Sequence, residues 1–163
     1  MNCSNCGAGM ELLSERGYFF CRYCGSFQFP EPADNEGAIV TGPAGQPAAC
    51  PSCTRELSAA VLEGCKVLAC AGCKGMLMPR GTFARIVDAR RAREPRTIVP
   101  GAIRPFDLPR HLTCPSCGGD MMTHPYYGPG NIIIDTCERC NLLWLDPGEL
   151  TRIAQAPGRD RSR

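Results

Sequence analysis

Six C-x-x-C pairs decide what this chain can fold into: Cys3/Cys6, Cys21/Cys24, Cys50/Cys53, Cys70/Cys73, Cys114/Cys117 and Cys137/Cys140. The gaps between successive pairs alternate. Within three units they are 14, 16 and 19 residues, and between units 25 and 40. The short gaps sit at or just below the ~15–20 residues that separate the halves of a four-cysteine zinc site. Two residues between cysteines let one tight turn aim both sulfurs at a single ion, and a second such turn completes the tetrahedron.

The chain needs such a staple. Leu, Ile, Val and Phe make up about a fifth of its 163 residues, too little for one well-filled core of this length. Near-neutral charge, +2 from 18 basic and 16 acidic residues, argues against disorder. Disulfides would serve only in an oxidising compartment, and the odd total of 13 cysteines leaves any disulfide framework incomplete. The opening Met1-Asn2-Cys3-Ser4-Asn5-Cys6 has no basic and apolar leader, and no stretch reaches the ~18 apolar residues of a membrane span. The expectation is a cytoplasmic protein without membrane contact, in which thiols stay reduced and hold metal.

Between the pairs, the sequence reads as hairpins. Glu15-Arg16-Gly17 precedes Tyr18-Phe19-Phe20, Glu63-Gly64 precedes a strand ending at Cys70, and Gly128-Pro129-Gly130 precedes Ile132-Ile133-Ile134. In each unit a glycine turn leads into an apolar strand that delivers the second pair. Units two and three align without gaps from their second pairs at an offset of 67 residues, carrying Gly81, Arg85 and Ile86 onto Gly148, Arg152 and Ile153. Helices are expected after both. Thr82 is the expected cap of the first; in the second, Asp146 caps, Pro147 begins and Glu149 closes a capping box. Their apolar faces are expected to pack on Leu77 and Trp144. Unit one, with Phe27, Phe29, Pro30 and Pro32 in the corresponding run, has no helix.

The predicted fold is therefore small, metal-stapled and mainly β. It comprises three tandem four-cysteine zinc ribbons, each a β-hairpin between two zinc knuckles, with a short α-helix after the second and third. Ribbon one spans 1–30, a flexible linker 31–47, ribbon two with a basic C-terminal helix 48–94 and a Pro-rich linker 95–110. Ribbon three with its short helix spans 111–156, and a disordered tail 157–163. The twelve paired cysteines are the expected ligands of three zinc ions, although thiolates alone also accommodate iron.

Unit three, with Cys114-Pro115-Ser116-Cys117-Gly118-Gly119, Asp135-Thr136-Cys137-Glu138-Arg139-Cys140 and Trp144-Leu145-Asp146-Pro147-Gly148-Glu149-Leu150, resembles the bacterial zinc-ribbon family of the transcription factor IIB type. The resemblance covers 112–154. Over 48–90 it is weaker, because Pro79, Arg80, Thr82 and Phe83 replace the Asp, Pro, Glu and Leu of the last stretch, and over 1–30 only a generic ribbon remains. It implies zinc on a ribbon fold, and fold likeness alone supplies no function.

Four thiolates close a zinc site, whereas catalytic zinc keeps a position open. No catalytic residue is therefore expected, and the chain reads as a non-enzymatic interaction module. The unpaired Cys65 reads as an inert packing thiol, and His111 and His124 read as surface groups. Residues 47–109 carry an excess of five positive charges. Arg85, Arg90, Arg91 and Arg93, with Tyr126 and Tyr127 in the longest hairpin, are the candidate partner contacts. A protein partner is favoured over nucleic acid because net charge is modest. The alternatives are a nucleic-acid-binding or transcription-associated ribbon protein and a zinc–thiolate redox sensor. The sequence sets no oligomeric state.

Overall fold

The computed structural model describes residues 2–3, 5–13, 18–28, 36–93, 110–126 and 132–157. Hairpin formation is dictated locally. β5 (Leu57–Leu62) and β6 (Cys65–Cys70) pair antiparallel with Leu62 opposite Cys65, so only Glu63-Gly64 closes the turn. Both turn residues have positive φ, 49° and 72°, as in the type I′ turn whose twist matches its strands. β7 (Met76–Pro79) completes unit two and runs directly into α1 (Arg80–Arg93). Unit three repeats the plan with β8 (Leu112–Thr113), β9 (Asp120–Pro125), β10 (Ile133–Cys137), β11 (Leu142–Leu145) and α2 (Glu149–Gln155). Unit one forms a separate three-stranded sheet of β1 (Glu11–Leu13), β2 (Tyr18–Phe20) and β3 (Phe27–Gln28). No helix of the described residues is long and apolar enough to cross a membrane.

Units two and three share one antiparallel sheet of eight strands, with β7 joined to β11 at the centre. The register of that seam pairs Met76 with Leu145, Leu77 with Trp144 and Met78 with Leu143. Leu77 and Trp144 are also equivalent positions in the 67-residue repeat. The seam therefore maps onto itself when the two units are exchanged, and a local pseudo-twofold axis passes through the Leu77–Trp144 pair. Each unit alone would leave the edge of its last strand unpaired. Joining the two edges satisfies both.

Strand alternation sorts the seam residues between two cores. Met76, Met78, Leu143 and Leu145 face α1 and α2, where Phe83, Ile86, Val87, Leu150 and Ile153 cover them. Leu77 and Trp144 point the other way, into a second cluster with Leu57, Leu112, Met121 and metal-site cysteines. The expectation that the helices pack on Leu77 and Trp144 is thus corrected, because period-two alternation turns these two from the helical face.

Three further expectations change. The flexible linker over 31–47 contains β4 (Ile39–Pro43), hydrogen-bonded to the edge of β5. Within the same segment, Glu36 Oε1 accepts the Thr151 N–H at 2.7 Å, so a residue 115 positions away satisfies an orphan donor in the first turn of α2. α1 begins at Arg80, leaving Thr82 inside the helix. At α2 the N-cap position is Gly148, with φ of 83°. Half of the expected capping box survives, since Asp146 N–H donates to Glu149 Oε2 at 2.9 Å, but the Asp146 carboxylate is engaged elsewhere. Of the linker expected over 95–110 only Arg110 is described, and of the tail over 157–163 only Pro157. The remainder, with residues 31–35 and Phe29, lies outside the described residues.

Gly75 makes room for the larger member of the Leu77–Trp144 pair. A Cβ there would lie 2.2 Å from Trp144 Cζ2 and 2.9 Å from the Leu145 carbonyl. The repeat places Leu142 at the equivalent position beside Leu77, so Trp–Gly on one side balances Leu–Leu on the other. Gly75→Ala is expected to destabilise the zinc-loaded protein by about 1–3 kcal/mol through overpacking. Gly81→Ala, in α1 with open space around its Cβ, is expected to be neutral or to stabilise by about 0.5–1 kcal/mol. Chemical denaturation of the two variants checks the contrast.

Candidate metal centres

Five of the six cysteine pairs lie in the same backbone knuckle. At Cys3, Cys21, Cys50, Cys70 and Cys114 the first cysteine's N–H donates to the carbonyl five residues on, and its own carbonyl accepts the N–H four residues on, all at 2.7–3.0 Å. The turn requires positive φ just after the second cysteine. Gly7, Gly25 and Gly118 supply it without strain, while Thr54, Lys74 and Asn141 adopt it at 63°, 65° and 53°. A non-glycine residue there costs on the order of 1 kcal/mol, which the closed sulfur quartet offsets.

The knuckles bring the sulfurs together as three quartets: Cys3, Cys6, Cys21 and Cys24; Cys50, Cys53, Cys70 and Cys73; Cys114, Cys117, Cys137 and Cys140. Within each, all four sulfurs lie within 4.8 Å of one another. Individual separations are 3.6 Å for Cys3–Cys24, 3.5 Å for Cys6–Cys21, 3.5 Å for Cys50–Cys73, 3.4 Å for Cys53–Cys70 and 3.6 Å for Cys117–Cys137. A tetrahedron with Zn–S bonds of ~2.3 Å has edges of about 3.8 Å, whereas a disulfide needs ~2.05 Å. The spacing fits zinc and excludes disulfides, and the soft, all-thiolate donor set agrees.

Local hydrogen bonds prepare some thiols for deprotonation. The Ser26 hydroxyl, then its N–H, bring Cys24 down to about 6. The Gly119 N–H, then neighbouring Cys140, bring Cys117 down to about 7. Burial pushes Cys114 up to about 12. A bound dication removes that opposition, because metal binding and loss of the thiol protons are one coupled event.

Beside the third quartet lies a buried polar network that the sequence did not reveal. Trp144 Nε1–H donates to Asp146 Oδ1 at 2.9 Å. The Arg110 guanidinium bonds Asp146 Oδ2 and lies 3.5 Å from Asp135 Oδ2. Thr123 Oγ1–H donates to Asp135 Oδ1 at 2.5 Å. Burial works to lower the pKa of Arg110, but the charges of Asp146 and Asp135 reverse it and raise it overall. Burial, then the Asp146 charge, lifts Glu149 well above the ordinary carboxylate range. The Arg110 guanidinium lies between the Asp135 and Asp146 carboxylates, and its charge opposes the upward shift at Glu149. By sequence, Arg110 falls in the linker. The signal that points to it is Asp146, whose place between Leu145 and Leu150 calls for a buried cation.

These distances account for the Trp-Leu-Asp-Pro-Gly-Glu-Leu stretch as a structural lock on the metal site. Residues 113–156 match the family model described as transcription factor zinc-finger. Unit three is a zinc ribbon of the transcription factor IIB type. That match covers about a quarter of the chain. No curated protein and no solved structure matches the sequence. Within the motif, the four cysteines form the quartet, Trp144 and Asp146 tie β11 to Arg110, and Glu149 closes the turn into α2.

The expected partner contacts are redistributed. Arg90 is only 6% exposed; its Nε lies 3.6 Å from Glu63 Oε1, and its guanidinium donates to the Glu36 carbonyl. Arg91 donates to the carbonyls of Ile153 and Ala156 at 2.9 and 2.8 Å, capping the C-terminus of α2, where its charge also complements the negative end of the helix dipole. Arg93 pairs with Glu63 at 2.6 Å. Arg85 donates to Cys65 Sγ at 3.1 Å, and that thiol is buried in the helical core. Tyr126, 6% exposed, packs edge-to-face on Phe83 at 5.3 Å between ring centroids. Arg90, Arg91 and Tyr126 are thus engaged by neighbouring elements of the fold. Tyr127 lies outside the described residues. His111 is exposed, but His124 is half-buried and bonded to Thr136 and the Pro125 carbonyl.

Two outcomes follow from this geometry. Cys137→Ser is expected to reduce bound zinc from three to no more than two per chain by elemental analysis. The shared β7–β11 seam should make unit two more readily denatured, while the N-terminal site stays loaded. Arg110→Ala, which leaves Asp135 and Asp146 uncompensated, is expected to cost roughly 3–5 kcal/mol, measured by chemical denaturation of the zinc-loaded protein.

Proposed function

We propose that this chain is a non-enzymatic interaction module whose three zinc ions are structural and whose partner is a protein. The observation that carries it is the closure of every quartet by four thiolates, which leaves no coordination position for water or substrate. Structural zinc contributes an apparent ~10–16 kcal/mol per site, enough to replace a larger core.

The use of charge supports a protein partner. A phosphate-binding surface needs free cations arrayed on one face, and Arg80, Arg90, Arg91 and Arg93 are engaged with Glu138, Glu36, the end of α2 and Glu63. Opposite the helices, the sheet carries a groove of about 680 Å³ whose lining includes Ala59, Val61, Leu68, Leu77 and Leu142, with Lys66 on its rim. Its mostly apolar wall suits a protein segment better than a nucleic-acid backbone.

The zinc-loaded chain is expected to give no gel shift with random duplex DNA or single-stranded RNA even at low salt. A shift that falls steeply between low and moderate salt would replace this reading with phosphate recognition. In pull-downs, a partner retained by the wild type and lost on Leu68→Glu, with zinc content unchanged, would place recognition in the groove.

A further inference from the structure

The three quartets share one ligand set, and ligand chemistry alone does not distinguish them. Burial does. Cys6 and Cys24 are exposed, whereas every ligand of the other two quartets is buried or half-buried. The support differs as well. The second and third quartets lie in the eight-stranded sheet, with all eight of their cysteines in one apolar cluster around Trp144 and Leu77. The N-terminal quartet is held by strands of three, three and two residues. Among the described residues, neither apolar cluster draws a side chain from this unit. An oxidant approaching from water thus meets two sulfurs on one quartet and none so open on the others.

We propose that the N-terminal quartet is an oxidative modification site, with Cys6 and Cys24 the sulfurs first attacked by hydrogen peroxide. The exposed thiolate attacks one peroxide oxygen; the O–O bond breaks, hydroxide departs and the sulfur becomes a sulfenic acid. A neighbouring thiolate then attacks that sulfur and expels a second hydroxide, leaving a disulfide. Two thiolates lose one electron each, the peroxide takes both, and the two hydroxides are protonated by solvent. The neighbours are in place: Cys3 Sγ stands 3.6 Å from Cys24 Sγ, and Cys21 Sγ 3.5 Å from Cys6 Sγ. Each pair needs to close by about 1.5 Å to reach disulfide length. Oxidation of both pairs removes all four thiolates that would hold metal, so the site empties while the eight-stranded body keeps its two.

This inference is independent of the identity of any partner, and so is its test. The zinc-loaded full chain is titrated with hydrogen peroxide while a metallochromic indicator follows zinc release. Differential alkylation and peptide mass spectrometry locate the oxidised cysteines. One zinc per chain is expected to leave about tenfold faster than the other two, with Cys3, Cys6, Cys21 and Cys24 the first to resist alkylation. Cys24→Ser is expected to abolish the fast phase and leave two slow equivalents. Release of all three ions at one rate would overturn the proposal. So would earliest oxidation at Cys65 or in either other quartet, or a fast phase that persists in Cys24→Ser.

Discussion

The convergence of two zinc knuckles at the ends of a hairpin is the constraint on which the rest of this structure depends. A knuckle is a short-range object. Two backbone hydrogen bonds and one residue of positive φ aim a pair of sulfurs, and any strand that follows is launched from a defined direction. Where glycine supplies the left-handed residue the turn forms without strain. At Thr54, Lys74 and Asn141 it does not, and the sulfur quartet over-determines the conformation. Strands as short as those of the first unit can persist because metal binding and folding are a single free-energy event.

Two of the three units gain more than metal. Their last strands meet across a pseudo-twofold axis, and this edge pairing turns two small ribbons into one sheet with a core on each face. The symmetry is broken where volume requires it: Trp144 lies over Gly75, and Leu77 lies beside Leu142. The indole then reaches Asp146, and through it Arg110 and Asp135. This network places charge in an apolar interior, and it is tolerable because Arg110 is paired with Asp135 and Asp146 and the indole N–H and Glu149 are hydrogen-bonded to the same turn. A buried cation just before β8 thus ties the entry of unit three to its exit.

Charge follows the same logic elsewhere. The basic helix reads in sequence as a stripe for an external anion, yet much of that stripe faces inward to carbonyls and carboxylates of neighbouring elements. Arg91 ends α2, Arg90 joins α1 to the segment before β4, and Arg93 meets Glu63 at the β5–β6 turn. Positive charge here closes a helix end and holds strand edges. Among the described residues, the sheet face away from the helices carries a largely apolar groove.

Sequence alone determined the parts whose causes are local. Ligand identity follows from C-x-x-C spacing, hairpins from turn residues between apolar runs, and the helices from the repeat after the second pairs. Each rests on contacts between residues a few positions apart. Tertiary structure decided the rest: the β7–β11 seam, the inward turn of Leu77 and Trp144, the recruitment of Glu36 and Arg110, and the different exposure of chemically identical quartets. Those outcomes join residues as distant as Glu36 and Thr151. No local pattern encodes them, because they depend on which edges and buried charges remain unsatisfied once each unit has folded.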